Sequence, residues 1–377
     1  MAVPSRPDAC PGVFALHDAA DGALARVRLP GGAIDAAALR VVADCAEELG
    51  DGAVHLTSRG NVQLRGLRRD DPRLAARLAA AGLLPSATHE RARNLLASPL
   101  SAITGGLADV RDLARELDRG LCARPALAAL SGRFLFALDD GRGDVAAEDP
   151  DLCWQAVGPD DGRLLVAGEP VARVPRSRAV TALLDAAEAF LAESDGAWRT
   201  LPAATGSAPA APAPVGPGGD AKPHAPTGGP GGSAERLAGH AGPPLGWVGE
   251  GAALVCAPVL GEMSAAQLRV LADTAPRAIV TPWRTVVLPG AGEGADKRLA
   301  AAGFVVDPAS PVPLVSACAG RPGCAKALAD VRADARAGLA AGRFAERVHL
   351  SGCARRCGSP RGPHRALVAL ADGQYTR

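Results

Sequence analysis

A chain of 377 residues with 48% apolar residues can bury large cores and is too apolar for a disordered or fibrous protein. Its net charge of +1 excludes a global attraction to nucleic acid or anionic membrane, so any anion site has to be local. Nine cysteines, and no apolar run of signal-peptide or membrane-span length, predict a cytoplasmic protein whose thiols stay reduced and serve as metal ligands or core residues.

In chain order, VFALH and ALARVRL flank a turn at Asp21-Gly22 and read as strands. Ile34, Ala38, Val41, Cys45 and Leu49 then fall on one face of a helix. The strands AVHLT and NVQLRGL follow, and a helix from about residue 71 to 81 ends at Gly82, a position suited to a left-handed cap. This α+β half-domain needs a partner to complete its core. Residues 202–244 are dominated by Pro, Gly and Ala and read as a flexible linker, in which His224 and His240 are not taken as metal ligands.

The segments on either side of the linker repeat one another. LRVVAD at 39–44 recurs as LRVLAD at 268–273, and TSRGNVQL at 57–64 has the equal-length counterpart TPWRTVVL at 281–288. RLAAAG at 77–82 and LADVR at 107–111 return in the same order at 298–303 and 328–332. The expected organisation is a duplicated module: a half-domain (1–84), a subdomain (85–201), the linker (202–244), a second half-domain (245–305) and a second subdomain (306–377).

Two cysteine pairs stand apart by their spacing. Cys318-x5-Cys324 and Cys353-x3-Cys357 are separated by an amphipathic helix predicted over about 326–341, so the pairs can converge. Four thiolates suit a four-iron four-sulfur cluster, while structural zinc usually takes tighter pairs. Zinc and four unrelated buried cysteines are the other readings. Gly320, Gly323, Gly352 and Gly358 let backbone amides approach bound sulfide, and Lys326, Arg355 and Arg356 favour thiolate. Cys10, Cys45, Cys122, Cys153 and Cys256 have no such pairing, and Cys45 reads as a core residue.

These cysteine pairs, with TSRGNVQLR and RNLLASPLSA in the first copy, resemble the siroheme sulfite and nitrite reductases and their relatives, the precorrin-3B synthases of aerobic cobalamin synthesis. The resemblance implies an α+β fold of two ferredoxin-like half-domains plus two cluster- and tetrapyrrole-binding subdomains. It implies cluster ligation by Cys318, Cys324, Cys353 and Cys357, the last being the residue that bridges cluster and siroheme iron in the reductases. It also implies that Arg59, Gln63, Arg91, Arg93 and Asn94 grip the carboxylates of a tetrapyrrole, as arginine at a rigid turn can do bidentately.

The reductases carry a basic segment resembling P-R-K-F-K. Here, aligned through FALD, Arg133 replaces one lysine and Leu135 the other, which leaves the reaction face short of a cation for a small oxyanion. The resemblance is therefore stronger to the synthases, which act on precorrin-3A with molecular oxygen and an electron donor, NADH-linked or ferredoxin-type. A siroheme reductase and a cluster-bearing electron carrier are the alternatives. Oxygen chemistry can also call on a mononuclear non-haem iron; His55, His89, His349 and His364 lie near the motifs, each more commonly a structural or surface residue.

Overall fold

The computed structural model describes residue 8 and residues 10–194, 242–371 and 373–376. All but the last three residues of the segment read as a linker, with His224 and His240, lie outside the described residues.

The first copy opens with β1 (His17–Ala19) and β2 (Gly22–Val27), joined at Gly22, whose φ of 117° suits a residue without a Cβ. β3 (Ala33–Asp35) leads directly into α1 (Ala36–Leu49), where the Asp35 carboxylate accepts from the Ala38 amide at 2.7 Å and caps the helix, a contribution of about 1 kcal/mol. β4 (Ala53–Leu56), β5 (Val62–Leu67) and α2 (Arg73–Ala80) complete the half-domain. The subdomain that follows holds β6 (Leu95–Ala97), α3 (Arg111–Ala123), β7 (Phe136–Asp139), β8 (Leu152–Ala156), β9 (Asp161–Val166), β10 (Glu169–Pro175) and α4 (Ala179–Glu193), its strands ordered β10-β9-β8-β7-β6.

The second copy repeats the half-domain as β11 (Gly246–Val248), β12 (Ala253–Cys256), β13 (Glu262–Ser264), α5 (Ala265–Thr274), β14 (Arg277–Val280), β15 (Val286–Pro289) and α6 (Ala295–Ala301). Ser264 and Gln267 form a reciprocal capping box at the start of α5. Its subdomain is smaller: β16 (Val315–Ala317), α7 (Val331–Ala340), β17 (Val348–Ser351) and β18 (Arg365–Val368), the strands all parallel.

The halves are tied by strand exchange. β13 of the second copy adds to the edge of the first sheet, pairing Met263 with Val54, and β3 of the first copy adds to the second sheet, pairing Ile34 with Ala278. Helices α1 and α5 pack together between the sheets, and Val27, Leu39 and Leu64 share one core with Leu268, Val286 and Leu288. Each such fully buried side chain contributes roughly 1.5–3 kcal/mol, so neither half-domain completes its core alone.

Two expectations are corrected here. Ile34 is not on the helix; it lies in β3, because the exchanged strand needs an extended residue there. The helix between the cysteine pairs begins at Val331, not near Lys326: Asp330 caps it, and the preceding backbone is taken by bonds from the Leu328 amide to the Gly352 carbonyl (2.7 Å) and from the Arg321 amide to the Ala329 carbonyl (3.0 Å).

Candidate functional site

Strand alternation in the first sheet sends Ala25, Val27, Val62, Leu64, Val54 and Leu56 into the shared core. The opposite face carries a row of directly paired residues, Arg26–Gln63–His55–Glu262, running across β2, β5, β4 and β13. Arg28 and Arg65 extend this polar face. Counting from the matching turns, the same row in the second sheet is Val255–Val287–Ile279–Ala33. Val255, Val287 and Ile279 are buried there against Leu100 and Leu245, with Ile103 packed alongside. One face of the duplicated scaffold is thus sealed with apolar side chains, and the other presents guanidinium groups.

Arg28 is the most unusual of these. It is 2% exposed, its Nε donates to the Arg91 carbonyl at 3.4 Å, and its two terminal nitrogens are buried with no partner. Burial and the neighbouring Arg26 pull its pKa down to about 9. A buried guanidinium with unused donors is costly unless an anion meets it. Around it gather several residues anticipated from sequence: Arg59 donates to the Gly132 carbonyl (3.3 Å), Asn94 to the same carbonyl (2.7 Å), and Arg91 to the Asp8 carbonyl (3.2 Å). Arg133 follows Gly132 on the exposed side, and Gln63 accepts from Arg26 at 3.2 Å. Arg93 is not brought to this group; its side chain is 4% exposed and it forks onto Asp118 at 2.7 and 2.8 Å and onto the Leu83 carbonyl. Arg26 and Arg28 were missed from sequence, although the alternation in ARVRL, arginines opposite apolar positions, was the available signal.

The cysteines lie beyond the C-terminal ends of the parallel strands β16 and β17, where loops of α/β sheets converge. Cys318 directly follows β16 and its amide donates to the Leu350 carbonyl at 3.0 Å. The Gly352 amide points at the Cys318 sulfur, 3.1 Å away, and a Cβ on Gly352 would stand 2.6 Å from that of Ala327. Burial pushes the Cys357 thiol up, and nearby Cys318, Cys353 and Cys324 push it further, against Arg355. Among the described residues, Asp139, Asp140 and Asp144 bring their carboxylates within 4.8 Å of one another, apart from the four paired cysteines.

The cysteine loops dock on the sheets. Gly323 sits where a Cβ would meet Asp21 at 2.9 Å, and Arg65 donates to its carbonyl. On the other side Arg284 donates to the Gly358 carbonyl at 2.6 Å. Of the histidines weighed for a mononuclear iron, His349 and His364 lie edge to face, their ring centroids 6.3 Å apart. His349 donates from Nε2 to the Cys357 carbonyl (3.2 Å) and accepts from Ser316 (2.8 Å); burial, then Arg284 and His364, pull its pKa down to about 3. His364 and His89 each have both ring nitrogens engaged, and His55, with Nε2 buried and unpartnered, is held neutral by burial and Arg332. Of the remaining cysteines, Cys45, Cys153 and Cys256 are core residues. No helix among the described residues is long and apolar enough to cross a membrane.

Residues 17–81 match the family model of the nitrite/sulfite reductase ferredoxin-like half domain. The chain is 32% identical over 138 residues to the ferredoxin–nitrite reductase of Leptolyngbya laminosa, 34% of this chain and 27% of that protein. It is also 32% identical over 155 residues to the precorrin-3B synthase of a Sinorhizobium species, 40% of this chain and 33% of that one. The matched stretches thus span a third or less of these relatives' lengths. The fold is that of the NirA protein of Mycobacterium tuberculosis, at a TM-score of 0.65 and 21% identity, covering 89% of this chain and 69% of the other. The chain is thus similar to proteins of the sulfite/nitrite reductase superfamily in a matched half-domain, in relatives of both reductase and synthase kind, and in its fold.

Proposed function

We propose that the chain is a precorrin-3B synthase, an iron–sulfur oxidoreductase that hydroxylates precorrin-3A with molecular oxygen and forms a lactone on the macrocycle. The observation that carries this reading is Arg28, a buried guanidinium with two unused donors on a sheet face that abuts the cysteine loops. A macrocycle with many carboxylates is a ligand that can satisfy it. Leu135 adds support: it is 2% exposed and packs with Leu96, Ala137 and Val145, so it supplies no cation where a reductase carries lysine.

In this reading Cys318, Cys324, Cys353 and Cys357 hold a four-iron four-sulfur cluster. The thiols, the Gly352 amide aimed at sulfur and the side-chain-free Gly352 fit that group. When bound, the cluster supplies electrons one at a time. Arg26, Arg28 and Arg59 orient the substrate through its carboxylates, and the apolar Leu135 side excludes small oxyanions.

Anaerobically purified protein should contain iron and acid-labile sulfide but no siroheme bands, and should change its spectrum on addition of precorrin-3A. With a reductant and isotopically labelled oxygen, the product should carry one labelled atom. Bound siroheme with turnover of sulfite or nitrite, and no label in a precorrin product, would show the reductase instead.

A further inference from the structure

The turn at Thr281–Thr285 has the backbone of its first-copy counterpart at Thr57–Asn61. The Thr281 amide donates to the Thr285 carbonyl at 3.0 Å, as Thr57 does to Asn61 at 2.9 Å, and the fourth residue donates back to the first in each. That fourth residue is Gly60 in one copy, with φ of 62°, and Arg284 in the other, with φ of 59°. Glycine adopts this left-handed conformation freely, whereas arginine there costs about 1 kcal/mol or more. The turn itself therefore gives no reason for arginine; the side chain must.

That side chain donates to the Gly358 carbonyl, one residue beyond Cys357, at 2.6 Å. Gly358 is itself left-handed, φ 77°, and a Cβ there would stand 3.3 Å from the guanidinium, so the approach is built close. Glu148, Arg332 and Arg347 are the other charged groups facing Arg284, and burial with the two arginines lowers its pKa to about 10. From the other side His349 donates to the Cys357 carbonyl.

We propose that Arg284 is a positioning residue for the iron–sulfur group: it fixes the Cys353–Cys357 loop through Gly358 and sets a positive charge beside the fourth ligand, raising the reduction potential. This role rests on the cluster reading above. A cation near the cluster favours its more negative reduced form, so removing the charge lowers the potential.

The test is a potentiometric titration of Arg284→Gly, Arg284→Met and Arg284→Lys, each purified anaerobically, alongside thermal unfolding and iron and sulfide analysis. Arg284→Gly relieves the backbone and should unfold at an equal or higher temperature, yet with a midpoint potential shifted negative. Arg284→Met keeps the bulk and should shift it likewise, and Arg284→Lys should lie between these and the parent. A clustered parent whose Gly and Met variants keep its potential would overturn the role alone, and if Arg284→Gly does not fold the Met variant decides. A parent without iron and sulfide would overturn the cluster reading, and the role with it.

Discussion

Arg65 joins the first half-domain to the cysteine-bearing subdomain by donating to the Gly323 carbonyl at 2.7 Å, while the same guanidinium forks onto Asp21 at 2.8 Å through both Nε and Nη2. Its side chain is 8% exposed and that of Asp21 27%. Arg65→Met should lose about 1–3 kcal/mol of stability, since it leaves a partly buried carboxylate and a carbonyl without their donor. It should also release iron faster, because the Cys318–Cys324 loop loses its anchor on the sheet. Denaturant unfolding and the rate of iron release to a chelator check the two effects. Wild-type iron release would mean the contact only braces the fold.

On the proposed reading, in which Cys318, Cys324, Cys353 and Cys357 each supply one ligand, changing any of them to Ser should remove or degrade the cluster. Cys45→Ser and Cys256→Ser bury a hydroxyl in an apolar core and should cost stability while leaving iron content unchanged. Iron and sulfide per chain decide it. A stable zinc adduct without sulfide would replace the assignment.

The duplication was legible because its matched strings are the turn and helix segments whose backbone the two copies share, such as 57–64 and 281–288. The strand exchange was not. Ile34 lies four residues before Ala38 and fits a helical period as well as a strand, and only the partner sheet, pairing it with Ala278, decides between them. Asn94 and Arg59 were legible as motif residues and do converge on Gly132. Arg93 belongs to the same motif, but its direction is set by Asp118, 25 residues later, a contact no local pattern announces. The contrast between the two sheet faces was visible only in part: TPWRT against TSRGN hinted at it, whereas the full row needs the strand register.

The contribution of Asp144 to stability should fall as pH rises from about 4 to about 7, while the buried His349 and His55, whose pKa values are lowered, contribute in the opposite direction. Asp144 is pushed up to about 7 by burial and then by Asp139, from an ordinary value near 3.8, although Ser98 donates to it at 2.6 Å. The folded chain therefore holds a proton that the unfolded chain releases: the stabilisation is complete below the unfolded value, lost across that window, and constant above it. Glu148, raised to about 7 chiefly by burial, acts in the same direction. Asp144→Asn keeps an acceptor for Ser98 and has no charge to gain, so its stability relative to the parent should increase as pH rises across this window, reaching on the order of 2 kcal/mol at pH 8. Urea unfolding between pH 5 and 8 measures this, and parallel curves for the two proteins would contradict it.

Arg28 should trade stability for binding. Its terminal nitrogens are buried without partners and its pKa is pulled down to about 9 by burial, so in the ligand-free protein the charge is a cost. Arg28→Met fills similar space with no donors to satisfy, and the ligand-free variant should unfold at the same or a higher temperature than the parent. A polycarboxylate tetrapyrrole should bind it at least tenfold more weakly, because one charge-assisted contact of about 1.5–3 kcal/mol is gone. Arg59→Ala, at a half-buried residue on the neighbouring 57–61 turn, should weaken binding less, and more of its effect should vanish at high salt. Thermal unfolding with and without a saturating tetracarboxylate porphyrin separates the two terms. A variant that is less stable without ligand but binds as tightly as the parent would make Arg28 a structural residue, and would remove the main support for an anionic macrocycle on this face.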